Sequence, residues 1–113
     1  MSLQHQNLSE GRWFTMSLAE QMGNIGSEVC RALTWRKKGN TEYAENAFVR
    51  SLELLDFTLA DERWRGPKRR EIARTRESWC EFISEKTNSV ESDSAWSNYF
   101  DHFAVMARSQ RGL

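Results

Sequence analysis

Apolar residues recur every three or four positions along most of the chain, the spacing that places side chains on one side of an α-helix. In residues 17–38 these positions are Leu18, Met22, Ile25, Val29 and Leu33. Ser17 and Glu20 have the spacing of a capping box at the start of this segment, and Gly39 follows its end. The pattern therefore predicts a first helix over residues 17–38.

Three further segments have the same periodicity. The second covers residues 41–60, with Ala44, Ala47, Phe48, Ser51, Leu52, Leu55 and Leu59 on its inner face. The third begins at Pro67, a favoured first helical position, and ends near residue 86; its inner face carries Ile72, Ala73, Arg76, Trp79, Cys80 and Ile83. The fourth begins at Asp93 or Ser94, after a polar loop over residues 87–92, and ends near residue 108; its inner face carries Trp96, Tyr99, Phe100, Phe103, Ala104 and Ala107.

The connections between these segments are short, and no segment alternates apolar and polar residues as a strand does. Four amphipathic helices with short loops predict an all-α, antiparallel up-down-up-down four-helix bundle. We assign residues 15–110 to this single domain and residues 1–14 to an N-terminal arm, with Trp13 and Phe14 docked on the bundle. Gly23 and Gly26 each cost a helix about 1 kcal/mol relative to alanine, which indicates close approach of another element there.

Composition narrows the classes of function. The chain has 113 residues, with sixteen basic and sixteen acidic residues and a formal net charge of zero, so nucleic-acid binding would depend on a local patch. No apolar run approaches the roughly 20 residues that span a membrane, and the N-terminus lacks the apolar stretch of a secretory signal. We expect a cytoplasmic protein without membrane contact, in which Cys30 and Cys80 are buried and reduced.

A basic cluster lies between the second and third predicted helices. Lys68, Arg69 and Arg70 occupy the first turn of the third helix, where positive charge opposes the helix dipole. Trp64 lies within the cluster, and an aromatic ring among arginines can stack on nucleic-acid bases. The candidate nucleic-acid-binding residues, called the basic corner below, are Arg63, Trp64, Arg65, Lys68, Arg69 and Arg70. The alternative is a solvated surface with internal ion pairs.

Arg76 falls on the apolar face of the third predicted helix, so it is a candidate buried polar residue. A buried arginine is costly unless it is paired. The candidate carboxylates are Glu28, Glu53 and Asp56, whose helices can face it. We expect a structural ion pair rather than a functional site at this position.

The sequence predicts no catalytic residue, metal ligand or cofactor. His5 lies in the arm, and His102 follows Asp101, but adjacent residues of a helix do not face each other. There is no Glu-x-x-His pair, no glycine-rich phosphate loop and no zinc-type spacing of cysteine and histidine. The sequence therefore favours a protein that is not an enzyme.

The stretch WRKKGNTEYAENAFVRSLELLDFTLAD resembles the helical hairpin of HEPN-type proteins through Gly39, Tyr43, Ala44, Ala47, Phe48 and Leu55. The chain also resembles small prokaryotic helical proteins to which no function is attached. The HEPN resemblance implies a helical bundle, often dimeric, related to ribonucleases and their inactive relatives. Active members carry an arginine followed a few residues later by histidine, and no arginine precedes His102 at that distance. Ribonuclease activity is therefore not carried over.

Five tryptophans and six phenylalanines are more than one small core needs, and aromatic residues are frequent at binding interfaces. We expect a non-catalytic helical interaction module that binds a protein partner or a second copy of itself as a homodimer. Two alternatives stay open. One is a nucleic-acid-binding bundle that uses the basic corner. The other is a divergent HEPN-like ribonuclease that uses Arg76 and His102.

Overall fold

The computed structural model describes residues 11–85 and 90–110. Over these residues the chain is helical and contains no strand, which confirms the predicted all-α class. The four helices are α1 (Leu18–Lys37), α2 (Thr41–Ala60), α3 (Pro67–Ser84) and α4 (Val90–Gln110). In the described part, none of them combines the length and apolarity needed to cross a membrane.

Local capping sets the first helix boundaries as predicted. The Ser17 hydroxyl accepts a hydrogen bond from the Glu20 amide at 3.1 Å, and the Glu20 carboxylate accepts one from the Ser17 amide at 3.1 Å. This reciprocal pair confirms the capping box. Gly39 follows α1 with a φ of +80°, and the Asn40 side chain caps α2 by accepting from the Tyr43 amide at 3.0 Å.

The predicted start of α4 was wrong. The helix begins at Val90 rather than at Asp93 or Ser94, so residues 90–92 of the predicted loop are helical. Residues 90–93 contain neither proline nor glycine, so their sequence is compatible with this earlier start. Residues 86–89, which include the first part of the predicted loop, lie outside the described residues.

Helix α1 packs against α2 on one side and against α4 on the other. Its buried surface is therefore wider than the single stripe predicted from the sequence, and it includes polar residues. The buried residues of α1 are Ala19, Gln21, Met22, Ile25, Gly26, Glu28, Val29, Ala32 and Leu33. Helix α2 likewise buries Leu54 and Thr58 in addition to members of its predicted inner face.

The two glycines of α1 lie against α4. A Cβ atom built on Gly26 would lie 2.5 Å from the Cβ atom of Phe100, and one on Gly23 would lie 3.4 Å from the Cα atom of Ala104. This confirms the close approach that the two glycines indicated.

Aromatic side chains, rather than close backbone contact, join α3 to α4. Trp79 of α3 is fully buried and donates a hydrogen bond from Nε1 to Ser51 Oγ on α2 at 2.9 Å. Its ring meets Trp96 of α4 edge-on, with centroids 5.4 Å apart. These rings fill the space between the two helices at this level, and an open groove lies beside them.

The N-terminal segment contributes to the core. Trp13, which we assigned to the arm, lies in a short 3₁₀ turn (Trp13–Thr15) and is fully buried. Its Nε1 donates to Thr58 Oγ1 at 3.1 Å. The buried side chain of Gln21 donates to the Trp13 carbonyl at 2.8 Å and to Asp61 Oδ2 at 3.0 Å. These bonds attach the turn to α1 and α2.

Candidate functional site

Arg63 of the basic corner makes contacts within the protein. Its guanidinium donates to Asp61 Oδ1 at 3.0 Å, to Asp61 Oδ2 at 2.7 Å and to the Met16 carbonyl at 2.6 Å. Hydrogen bonds from Arg63, opposed by burial and aided by the bond from Gln21, lower the pKa of Asp61 from 3.8 to about 2. Arg63 thus ties the α2–α3 connection to the start of α1.

Trp64 is also engaged within the protein. Its Nε1 donates to Gln21 Oε1 at 2.8 Å. The Arg63 guanidinium lies 4.4 Å from its ring centroid, and the Lys68 ammonium lies 5.3 Å from it. Arg65 pairs with Glu62. The geometry therefore gives four residues of the basic corner, Lys68 included, contacts within the protein, and the ring of Trp64 is not an open platform for a base.

The remaining cations of this region lie on the first half of α3. Within residues 11–85 and 90–110, Lys68, Arg69, Arg70 and Arg74 form no ion pair. Arg69 Nε is shielded from solvent without a hydrogen-bond partner. The first half of α3 thus carries several positive charges that the described residues do not neutralise.

Arg76 and His102 lie in different surroundings. Arg76 donates from Nε to Asp56 Oδ1 at 2.9 Å, one of the three partners named from the sequence, and a third of its side chain is exposed. His102 is exposed on α4, where its ring meets that of Phe103. The described contacts do not bring Arg76 and His102 together.

An open groove of about 350 Å³ lies between α3 and α4. We call it the α3–α4 groove, and its lining residues are Glu71, Arg74, Thr75, Ser78, Ala95, Trp96 and Tyr99. The sequence did not predict this groove, because the apolar pattern assigned Trp96 and Tyr99 to the inner face of α4. The spacing of Glu71, Arg74, Thr75 and Ser78 on one side of α3 was the available signal.

Tyr99 forms one wall of the groove, and its hydroxyl faces α3. The hydroxyl lies 3.2 Å from Thr75 Oγ1 and donates to Glu71 Oε1 at 3.4 Å. Burial raises the pKa of Tyr99 above its ordinary value of 10.0. The hydroxyl is therefore a neutral hydrogen-bonding group near pH 7.

Trp96 forms the second aromatic wall. Its ring stacks on Phe100 with centroids 6.2 Å apart, and it contacts Trp79 and Phe82 on its other sides. These contacts hold the ring in place, so the apolar surface of the groove is formed before anything binds. A preformed apolar surface with a few polar groups at its edge is typical of a binding site.

The described residues contain no group of three or more histidine, cysteine, aspartate or glutamate side chains that could hold a metal ion. Comparison with protein-family models, curated proteins and solved structures found no match to this chain.

Proposed function

We propose that this protein is a non-catalytic helical interaction module that binds a protein partner through the α3–α4 groove. The observation that carries the proposal is the pair of aromatic walls, Trp96 and Tyr99, which line an open groove facing polar groups of α3. Tryptophan and tyrosine are enriched at protein interfaces because each combines a large apolar ring with a hydrogen-bonding group.

The polar groups of the groove support binding rather than catalysis. The Tyr99 hydroxyl contacts Thr75 and Glu71, and the Thr75 hydroxyl donates to the Glu71 carbonyl at 2.9 Å. The Glu71 carboxylate is within hydrogen-bond reach of the Tyr99 hydroxyl, but a carboxylate is a weak base for taking the proton of a phenol whose pKa is raised. A phenol whose pKa is raised is a poor nucleophile near neutral pH, and His102 is not among the residues that line the groove.

The same proposal includes the antiparallel up-down-up-down topology. Its support is the order of the side-chain contacts. Trp35 near the end of α1 meets Tyr43 near the start of α2. Arg76 of α3 meets Asp56 near the end of α2, and Trp79 meets the earlier Ser51. Later residues of one helix thus meet earlier residues of the next.

A matched pair of variants tests the groove. Ser78 lines it and is exposed on α3, whereas Asn46 is exposed on α2 and does not line the groove. Serine, asparagine and tyrosine have similar helix propensities, so Ser78→Tyr and Asn46→Tyr should cost about the same. Only Ser78→Tyr places a ring in the groove. Thermal unfolding followed by circular dichroism checks that both variants fold.

The experiment selects peptides from a random phage-displayed library on the immobilised wild-type protein. The binding of each selected clone to the wild type and to the two variants is then measured. We expect enriched clones to bind the wild type and Asn46→Tyr alike and to bind Ser78→Tyr at least about tenfold more weakly, a loss of about 1.4 kcal/mol. Failure to enrich any clone, or equal binding to all three proteins, would contradict the proposal.

A further inference from the structure

Positive charge is concentrated beside the α3–α4 groove. Residues 67–76 contain five basic residues and one acidic residue. Of the five, Arg76 is paired with Asp56. The other four form no ion pair in the part of the chain that the structure describes. They lie near the start of the helix, where the helix dipole favours acidic residues. This placement costs stability; Lys68 has a contact with the Trp64 ring, and among the described residues no carboxylate pairs with any of the four.

Arg74 brings this charge to the groove itself. It lines the groove and is exposed. Arg70 precedes it by one helical turn, lies on the same side of α3 and is also exposed. Glu71 lines the groove and keeps its negative charge while it accepts the hydrogen bond from Tyr99, so the two arginines exceed it by one charge. The groove therefore combines an aromatic surface with one lining arginine, Arg74, and a second exposed arginine, Arg70, lies one helical turn from it.

The size of the groove limits what can enter it. Its lining on α3 extends from Glu71 to Ser78, eight residues, or about 12 Å of helix at about 1.5 Å per residue. A volume of about 350 Å³ is at the small end of ligand sites, which run from roughly 300 to 1,000 Å³. One large side chain of a partner fits this space.

We infer that the α3–α4 groove takes an acidic segment of a protein partner; the inference rests on the proposed function. A large apolar or aromatic side chain of that segment packs against Trp96 and Tyr99. Carboxylates beside it pair with Arg74 and Arg70, whose guanidinium groups match a carboxylate with two parallel hydrogen bonds. The exposed cations then supply charge complementarity and speed the encounter.

The observations favour an acidic protein segment over a nucleic acid. Nucleic-acid binding uses cations spread along a phosphate backbone, and binding of a single strand adds open aromatic rings on which bases stack. Arg63 and Arg65 are held by carboxylates, and the Trp64 ring has two cations against it. The available cations instead border a groove of the size of one side chain.

The test uses the charge of the selected peptides. Among the clones that lose binding to Ser78→Tyr, we expect sequences that are acidic and contain an aromatic or large aliphatic residue. A fluorescein-labelled peptide with glutamates on both sides of one tryptophan is then compared, by fluorescence anisotropy, with a version that has lysine for each glutamate. We expect only the acidic peptide to bind, and its affinity to fall as salt is added.

Arg74→Glu and Arg70→Glu test the two cations, with Arg108→Glu as the control. Arg108 is exposed near the end of α4, does not line the groove, and its replacement changes the net charge by the same amount. We expect Arg74→Glu to lower the affinity for the acidic peptide about tenfold or more and the double variant to abolish binding. Arg108→Glu should change the affinity less than about twofold.

The outcomes separate this inference from the proposed function. If the groove-dependent clones are neutral or basic, or if the lysine peptide binds as well, the acidic partner is wrong and the interaction module stands. If no clone depends on Ser78, the proposed function itself fails. If a single-stranded oligonucleotide binds more tightly than the acidic peptide and Arg74→Glu abolishes its binding, the occupant is a nucleic acid. If sedimentation shows self-association that Ser78→Tyr abolishes, the occupant is a second copy of the chain.

Discussion

Gly26 and Phe100 approach so closely that a methyl group on residue 26 would lie 2.5 Å from the Phe100 Cβ atom. That atom is fixed to the backbone of α4, so relief requires one helix to shift against the other. Alanine improves helix propensity by about 1 kcal/mol, but overpacking of a tight core costs about 1–3 kcal/mol. We expect Gly26→Ala to lower the free energy of unfolding by about 1 kcal/mol, measured by urea denaturation.

Gly23→Ala is the matched comparison, and we expect the opposite sign. A methyl group on residue 23 would lie 3.4 Å from the Ala104 Cα atom, which is an ordinary van der Waals contact. The gain in helix propensity then dominates, and the free energy of unfolding should rise by up to about 1 kcal/mol. A fall of similar size in both variants would show that the Phe100 contact is not the cause.

Glu28 is a buried carboxylate on α1 that binds two arginines. Arg31 Nη1 lies 2.8 Å from Oε1 and Arg50 Nε lies 3.0 Å from Oε2, and only 8% of the Glu28 side chain is exposed. Hydrogen bonds to charged groups contribute about 1.5–3 kcal/mol each, less where a partner is exposed. We expect Glu28→Ala to lower the free energy of unfolding by about 2 kcal/mol in urea denaturation.

The comparison is Glu62→Ala, which removes an ion pair with Arg65. In that pair the side chain of Glu62 is 70% exposed and that of Arg65 is 69% exposed. An exposed pair contributes roughly 0–1 kcal/mol. Equal losses from Glu28→Ala and Glu62→Ala would mean that burial does not set the difference.

Asp61 should make stability fall at low pH. Its pKa is about 2 in the folded protein against 3.8 for the ordinary group. The folded carboxylate thus resists protonation. Its contribution to the free energy of unfolding is present above about pH 4 and is lost as the pH falls from there through 2. The pKa difference corresponds to about 2 kcal/mol. Urea denaturation at a series of pH values measures this loss.

Asp61→Asn removes the titrating group and keeps an oxygen that can accept from Arg63. We expect it to be less stable at pH 7 by about 1–2 kcal/mol and to lose less stability than the wild type as the medium is acidified. An acid-induced loss as large in Asp61→Asn as in the wild type would assign the effect to other carboxylates.

Much of the fold could be predicted because its determinants are local in sequence. The Ser17–Glu20 capping box, Gly39 and Pro67 mark helix ends by their own backbone chemistry. The width of the buried surface could not be predicted in the same way. Thr58 and Gln21 are polar, and their burial is compensated by hydrogen bonds to residues distant in sequence, Trp13 for Thr58 and Asp61 for Gln21.

The candidate site was less accessible to sequence reasoning. The positive charge on α3 was recognised, but Arg63 and Trp64 were grouped with it because no pattern shows that Gln21, some forty residues away, binds Asp61 and Trp64. The α3–α4 groove depends on how large rings fill the space between two helices. That arrangement is a property of tertiary packing.

Tyr99→Phe tests the hydroxyl in the wall of the groove. The ring remains, so we expect groove-dependent peptides to lose less than about threefold in affinity, while loss of the hydroxyl's contacts with Glu71 and Thr75 lowers the free energy of unfolding by about 1 kcal/mol. Because burial raises the folded pKa of Tyr99, the unfolded chain ionises first, and the wild type loses stability as the pH rises above 10. Tyr99→Phe should lose less over that range, and ultraviolet titration should lack the phenol that ionises above the ordinary pKa. An unchanged alkaline profile in both measurements would show that the Tyr99 hydroxyl is not shielded in the groove.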